Sequence, residues 1–435
     1  MTTPSFRPLT FLLTGCAWLI LSSVLGLALL IGLVRGTGLP VWLRLVHVHA
    51  ALVGGVAQMI MGAMLSFIPP LLMTGRTRRD SHPALFVLVN AGALIIVGGF
   101  ALQMPVIVVG GGLLVLAAFA SLARDAWDQA RHSLNSPPLN LWFYGAALAA
   151  LFGGLVIGIG MAARLIDPSW YGHARLMHLH LNILGFVTVT IVGTMHNLLP
   201  TVLQQRLYSA RLARTVFFLL PVGVALLVAG FALSSLKTEI LAGALLLLGT
   251  ALYAFNLFAT WRGSAHTGNA ASDHLLVATF FLVLTVAMGL LVGINYTGDV
   301  PFLPIGTLHL VAYTHMALVG FVLQTIFGAL SHLVPITLAV SRVPNQKKRA
   351  AYLDRLTSIL DHWRIVQVAG LSFGTMGLAV IASLAWTKSL SASSMQAAMW
   401  GTFLLLLMAL TLFAVKLAWA LTTRPAEYPS GSTAR

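Results

Sequence analysis

The chain has 435 residues, of which 58% are apolar and only 8% charged, and its mean hydropathy is +0.92; soluble domains carry roughly a quarter charged residues, so a water-soluble globule is excluded and an all-α integral membrane protein is expected. The net charge of +15 is scattered over short connections, which argues for membrane topology and against nucleic acid as a partner. A single cysteine, Cys16, excludes internal disulfides, thiolate metal clusters and covalent cofactor attachment through a Cys-x-x-Cys-His motif.

Twelve apolar runs are long enough to cross about 30 Å of hydrocarbon as helices. They fall near 10–34, 43–73, 84–102, 105–123, 140–163, 176–203, 214–234, 238–261, 273–296, 303–338, 364–387 and 394–421. The first run lacks the short core and small-residue exit site of a cleavable signal, so it reads as a retained helix. Basic residues accumulate on one side if both termini are cytoplasmic: Arg76, Arg78, Arg79, Arg124, Arg131, Arg206, Arg211, Arg262 and Lys347 to Arg349 lie inside, while Arg35, Arg44, Arg164, Arg175, Lys237 and Lys388 lie outside. This bias sets the expected orientation and suggests a bacterial inner membrane with lipid as the first partner. The longest connection, 341–363, contains NQKKR and the amphipathic LDRLTSILDHW. It reads as a helix along the inner surface or a solvated linker.

The sequence repeats itself. HAALVGGVAQMIMGAMLSFIP begins at His49, HLNILGFVTVTIVGTMHNLLP at His180 and HMALVGFVLQTIFGALSHLVP at His315. All three read His-x4-Gly-x7-Gly-x6-Pro and open the second, sixth and tenth runs, so the chain is one membrane domain of three four-helix modules, approximately 8–132, 138–265 and 272–422. At 1.5 Å per residue each copy spans one hydrocarbon thickness, and all three run in the same direction. His49, His180 and His315 are therefore expected at one depth on the outer side. Gly54, Gly185 and Gly320, five residues further on, leave room for a flat ligand or a neighbouring helix.

A second layer distinguishes the modules. Arg44-Leu-Val-His47-Val-His49 and Arg175-Leu-Met-His178-Leu-His180 share Arg-Leu-x-His-x-His, whereas the third copy reads Leu310-Val-Ala-Tyr313-Thr-His315. Positions two apart on a helix point about 200° apart, so such a pair serves two sites. Imidazole ligates haem iron and copper, and two imidazoles from facing helices clamp a haem from both sides. His173 and His180, with Met177 between them, offer a second, copper-like face. All ten acidic residues fall in loops or at the ends of runs, which weighs against a carboxylate-based transporter.

These residues resemble subunit I of the haem-copper oxidase superfamily, nearest its cbb3-type oxidase and nitric oxide reductase branches; more loosely, the chain is similar to the NnrS-type haem- and copper-containing membrane family. The resemblance implies twelve helices in three pseudo-symmetric arcs. It also implies a low-spin haem b on His49 and His315, a copper ligand at His180, oxygen or nitric oxide as the gas, and electrons from a partner subunit or quinol. His47, His178, Arg44 and Arg175 are further candidates for cofactor contacts, and His180 and Tyr313 for the reacting pocket. Two departures are visible: Tyr313 stands where the family has its high-spin haem ligand, and the seventh run, Arg214 to Ser235, has no histidine for copper. A second haem is consistent with the spare histidines, and a complete haem-copper centre is not expected. The functional expectation is a haem-binding membrane protein with redox or diatomic-gas chemistry, of oxidoreductase type, in respiratory electron transport; the alternatives are a non-enzymatic haem- or nitric-oxide-binding stress protein and a transporter on the same scaffold.

Overall fold

The computed structural model describes residues 8–73, 82–133, 136–265, 267–298 and 300–425; Arg76, Arg78 and Arg79, which carry part of the topology argument, lie outside the described residues. Twelve helical spans are long and apolar enough to cross a membrane: Pro8–Arg35, Val41–Leu71, His82–Ala101, Pro105–Arg131, Leu139–Ala162, Pro168–Val202, Ala210–Ala232, Leu236–Arg262, Ala270–Ile294, Thr307–Arg342, Gln346–Leu384 and Ser393–Thr422. They are called spans 1 to 12 below. No strand occurs among the described residues, as the physics of hydrocarbon requires: a helix satisfies its own backbone hydrogen bonds, an open sheet edge does not.

Each span packs against the next, and span 12 returns to span 1. Span 11 consists of two helices, Gln346–Asp361 and Arg364–Leu384, broken where Trp363 adopts a left-handed φ of 57°; the second is the run expected near 364–387. The amphipathic segment is thus a helix, and its buried stripe of Tyr352, Leu356, Ile359 and Leu360 has the i, i+4, i+7, i+8 spacing of one face. Protein covers that stripe, from spans 10 and 12. Arg342 fastens it by donating to Tyr352 Oη at 2.9 Å and to Thr423 O at 2.8 Å.

The threefold repeat reaches further than the sequence pattern. Immediately after each of His49, His180 and His315 the backbone becomes a π-helix, over Ala50–Ala57, Leu181–Thr188 and Met316–Leu323. Such segments are rare and concentrate at functional sites. The repeated glycine five residues after each His therefore lies one i→i+5 hydrogen-bonded step away, not one and a half α-turns. Of the two uses left open for Gly54, Gly185 and Gly320, the structure selects helix packing: a Cβ there would strike Trp18, Ala150 and Phe281 on spans 1, 5 and 9. Gly62, Gly193 and Gly328 abut Phe11, Phe143 and Leu275 on the same three spans. Helix ends repeat too, with left-handed residues at Met73 and Gln204, and at Gln103 and Ser234.

Spans 3 and 4 show how small residues set the packing. A Cβ on Gly111 would lie 2.8 Å from both Gly92 O and Ile96 N, whereas one on Gly110 meets nothing within 4 Å. Gly111→Leu is expected to force the two backbones apart and cost about 1–3 kcal/mol, lowering the melting temperature of the detergent-solubilised protein. Gly110→Leu should leave it unchanged. Equal melting temperatures for the two variants would contradict this packing.

Candidate functional site

Five histidines and one tyrosine fill two slots of the repeat. The first slot holds His47, His178 and Tyr313; the second, two residues on, holds His49, His180 and His315. All six side chains are half-buried.

First-slot rings lie against a glycine of the preceding helix. A Cβ on Gly26 would stand 2.8 Å from His47 Cε1, one on Gly158 2.5 Å from His178 Cε1, and one on Gly289 2.9 Å from Tyr313 Oη. The two histidines are tied to those helices by their own ring nitrogens. His47 Nδ1 is 2.8 Å from Ser22 O, and His178 Nδ1 is 2.7 Å from Gly154 O. A carbonyl only accepts, so Nδ1 carries the proton in both rings and Nε2 presents a lone pair. The second-slot rings reach the same state within their own helix: Nδ1 lies 2.8 Å from the carbonyl four residues back, Leu45 O for His49, Leu176 O for His180 and Val311 O for His315. Each of the five histidines in the two slots thus offers Nε2 as an acceptor or ligand.

The ring beside His315 is His47, with ring centres 6.5 Å apart and planes 12° from parallel. The sequence reading paired His315 with His49. The reason for the difference is helical: residues two apart diverge by about 200°, so when His47 faces span 10, His49 is turned away from it. His49 rests on Phe100 of span 3, at 4.5 Å between ring centres. His180 rests on the repeat-equivalent Phe231 at 4.8 Å.

The copper-like face does not assemble. His173 sits beside Trp170, with Nε2 3.5 Å from Ser234 Oγ, and among the described residues no three His, Cys, Asp or Glu side chains gather so as to hold a metal ion. His309, one turn before Tyr313, stacks on Trp386 at 4.8 Å and takes a hydrogen bond on Nδ1 from Gly306 N. Arg44 and Arg175 are exposed, three residues before His47 and His178.

Three polar residues escaped the sequence reading. Ser22 donates to His47 O at 3.0 Å, and Asn182 performs the same service for His178 O at 2.6 Å. Thr285 occupies the position of Ser22 in the third module, and its buried hydroxyl has no partner among the described residues. For Ser22 and Thr285 the signal is the repeat in spans 1 and 9, which their apolar background hides, whereas Asn182 stands inside the histidine repeat of span 6. His274, near the start of span 9, is fully buried, with Nδ1 hydrogen-bonded to Gln324 Oε1 and Nε2 3.1 Å from Gln367 Nε2, while Gln324 Nε2 donates to Ser372 Oγ at 2.9 Å.

Compared with models of known protein families and with curated proteins, the chain matches none.

The His274 network gives a test of side-chain placement. Gln324→Leu strands the Nδ1 proton of His274 in the core and is expected to cost about 1–3 kcal/mol. His274→Leu in addition should cost far less than the two single losses combined, with a coupling of about 1 kcal/mol or more in a double-mutant cycle read from thermal melts. Additive losses would contradict the contact.

Proposed function

We propose that the protein is a haem-binding membrane protein in which His47 and His315 are the axial ligands of one b-type haem. The observation that carries this reading is the geometry of that pair. A metal–imidazole bond is about 2 Å long, and with about 1 Å from each nitrogen to its ring centre, two imidazoles on opposite sides of one ion have centres about 6 Å apart. The 6.5 Å found fits that gap, and in both rings Nδ1 is the nitrogen that a carbonyl engages, which leaves Nε2 without a hydrogen bond among the described residues. Two protein ligands are too few for a bare transition-metal ion in a tetrahedral site, but they complete an iron whose other four positions belong to a porphyrin. With a lone Cys16, attachment is non-covalent.

When bound, a haem held on both faces carries single electrons, and one with an open face admits a diatomic gas. The chain's residues divide the two tasks. Ser22 O fixes the His47 tautomer and Ser22 Oγ holds its carbonyl, which stiffens an axial ligand and raises its basicity. Tyr313 and Thr285 of the third module, with His180 of the second, stand at the corresponding positions of the repeat. A phenol replaces one imidazole there, and the orphaned Thr285 hydroxyl supplies a polar group for an incoming oxygen or nitric oxide. This supports gas chemistry between the second and third modules, fed with electrons by a partner subunit or a quinol. The reading includes no copper centre, because among the described residues His180 is part of no group of three His, Cys, Asp or Glu side chains that could hold a metal ion.

Purified protein should show the sharp, split absorption of a reduced bis-imidazole haem. His47→Ala and His315→Ala are each expected to abolish that component while His173→Ala leaves it intact. Retention of the full low-spin spectrum in both His47→Ala and His315→Ala would overturn the assignment.

A further inference from the structure

We infer that His49 and His178 form a second axial pair, between the first and second modules, that binds a second b-type haem. The inference rests on the reading of His47 and His315 just given, and extends it to residues outside that site.

One relation generates both pairs. In the first, a first-slot ring of one module meets the second-slot ring of the module preceding it around the ring of spans: His47 meets His315, because span 12 closes onto span 1. Moved on by one module, the relation joins His178 to His49, and each ring is seated as its counterpart is: His178 against Gly158 as His47 is against Gly26, and His49 on Phe100 as His180 is on Phe231.

The chemistry matches as well as the position. His178, like His47, gives its Nδ1 proton to a carbonyl of the preceding helix and lies against a glycine that leaves room for the ring. His49, like His315, gives its Nδ1 proton to the carbonyl four residues back. Both therefore present Nε2 lone pairs. Both keep accessible surface, unlike the closely packed His274 and His196. The helix holding each pair's first-slot histidine also carries Arg-Leu-x-His. Arg44 and Arg175 lie at i−3 from His47 and His178, on the same helix face one turn further out, and are exposed, as a guanidinium receiving a porphyrin carboxylate has to be. In the third module Leu310 and Tyr313 replace the arginine and the histidine together. Arginine and first-slot histidine thus occur as a set, present twice and absent once.

Among the described residues no third His, Cys, Asp or Glu joins His49 and His178, so the ligand class is again an iron porphyrin and not a bare metal ion.

The test is a potentiometric titration of purified protein reconstituted to saturation with haemin, followed in the visible bands and by low-temperature electron paramagnetic resonance. Methionine variants keep an axial ligand in place while raising the potential of the haem they touch. The wild type should show two low-spin components. H178M and H49M should shift one and the same component, and H47M the other, with monodisperse elution showing that each variant is folded. A single low-spin component in the wild type, or H178M and H47M shifting the same component, would overturn the second site while leaving the first. If H47M changes nothing, the reading of His47 and His315 fails and this inference fails with it.

Discussion

The structure turns on one constraint, the hydrogen bond that fixes the proton of each repeat histidine on Nδ1. An imidazole inside an apolar bundle must spend both ring nitrogens well, since an unsatisfied polar atom in hydrocarbon is costly. Here one nitrogen is satisfied by a main-chain carbonyl in all five rings, leaving the other to face a partner. The bond to the carbonyl four residues back is no marker in itself, because exposed His132 makes it too, with Asp128 O at 2.6 Å. What sets the site apart is its combination with the cross-helix bonds of His47 and His178 and with the near-parallel approach of His47 to His315 at 6.5 Å.

Triplication explains how such a site is built and how it is varied. Modules 1 and 2 hold their first-slot histidine with the same polar contact, but they draw it from opposite helices. Ser22 of span 1 supplies it in the first module and Asn182 of span 6 in the second, where a Cβ on Gly154 would overlap the Asn182 amide. The third module keeps the π-helix and the second-slot His315 but exchanges first-slot histidine for Tyr313 and leaves Thr285 unpartnered. Two like copies and one unlike copy are what a triplicated scaffold yields when its modules diverge in sequence. The π-helices serve all three, placing each second-slot histidine at the point where the helix changes pitch.

Much of this was legible in the sequence, for identifiable reasons. The twelve spans follow from hydropathy alone, because a bilayer allows little else. The three histidine helices follow from a spaced pattern of residue types. The pairing of His315 did not follow: it depends on the rotation of span 2 about its own axis, and His47 and His49 are equally good candidates until the helix is docked. The π-helices were invisible, since Ala50–Ala57, Leu181–Thr188 and Met316–Leu323 have unremarkable helical compositions. His274 was passed over because it stands near the start of its span, where only tertiary contacts with Gln324 and Gln367 reveal that it is buried.

The central claim is that the lone pairs of His47 and His315 converge on one iron. The most direct measurement is an experimental density map of the purified protein with anomalous scattering recorded at the iron edge. The account predicts an iron peak on the line between the two Nε2 atoms, about 2 Å from each, in planar macrocycle density, with both Nδ1 atoms still bonded to Ser22 O and Val311 O. A map of the haem-loaded protein in which the iron lies elsewhere, or in which either Nε2 is hydrogen-bonded to a protein group, would contradict it.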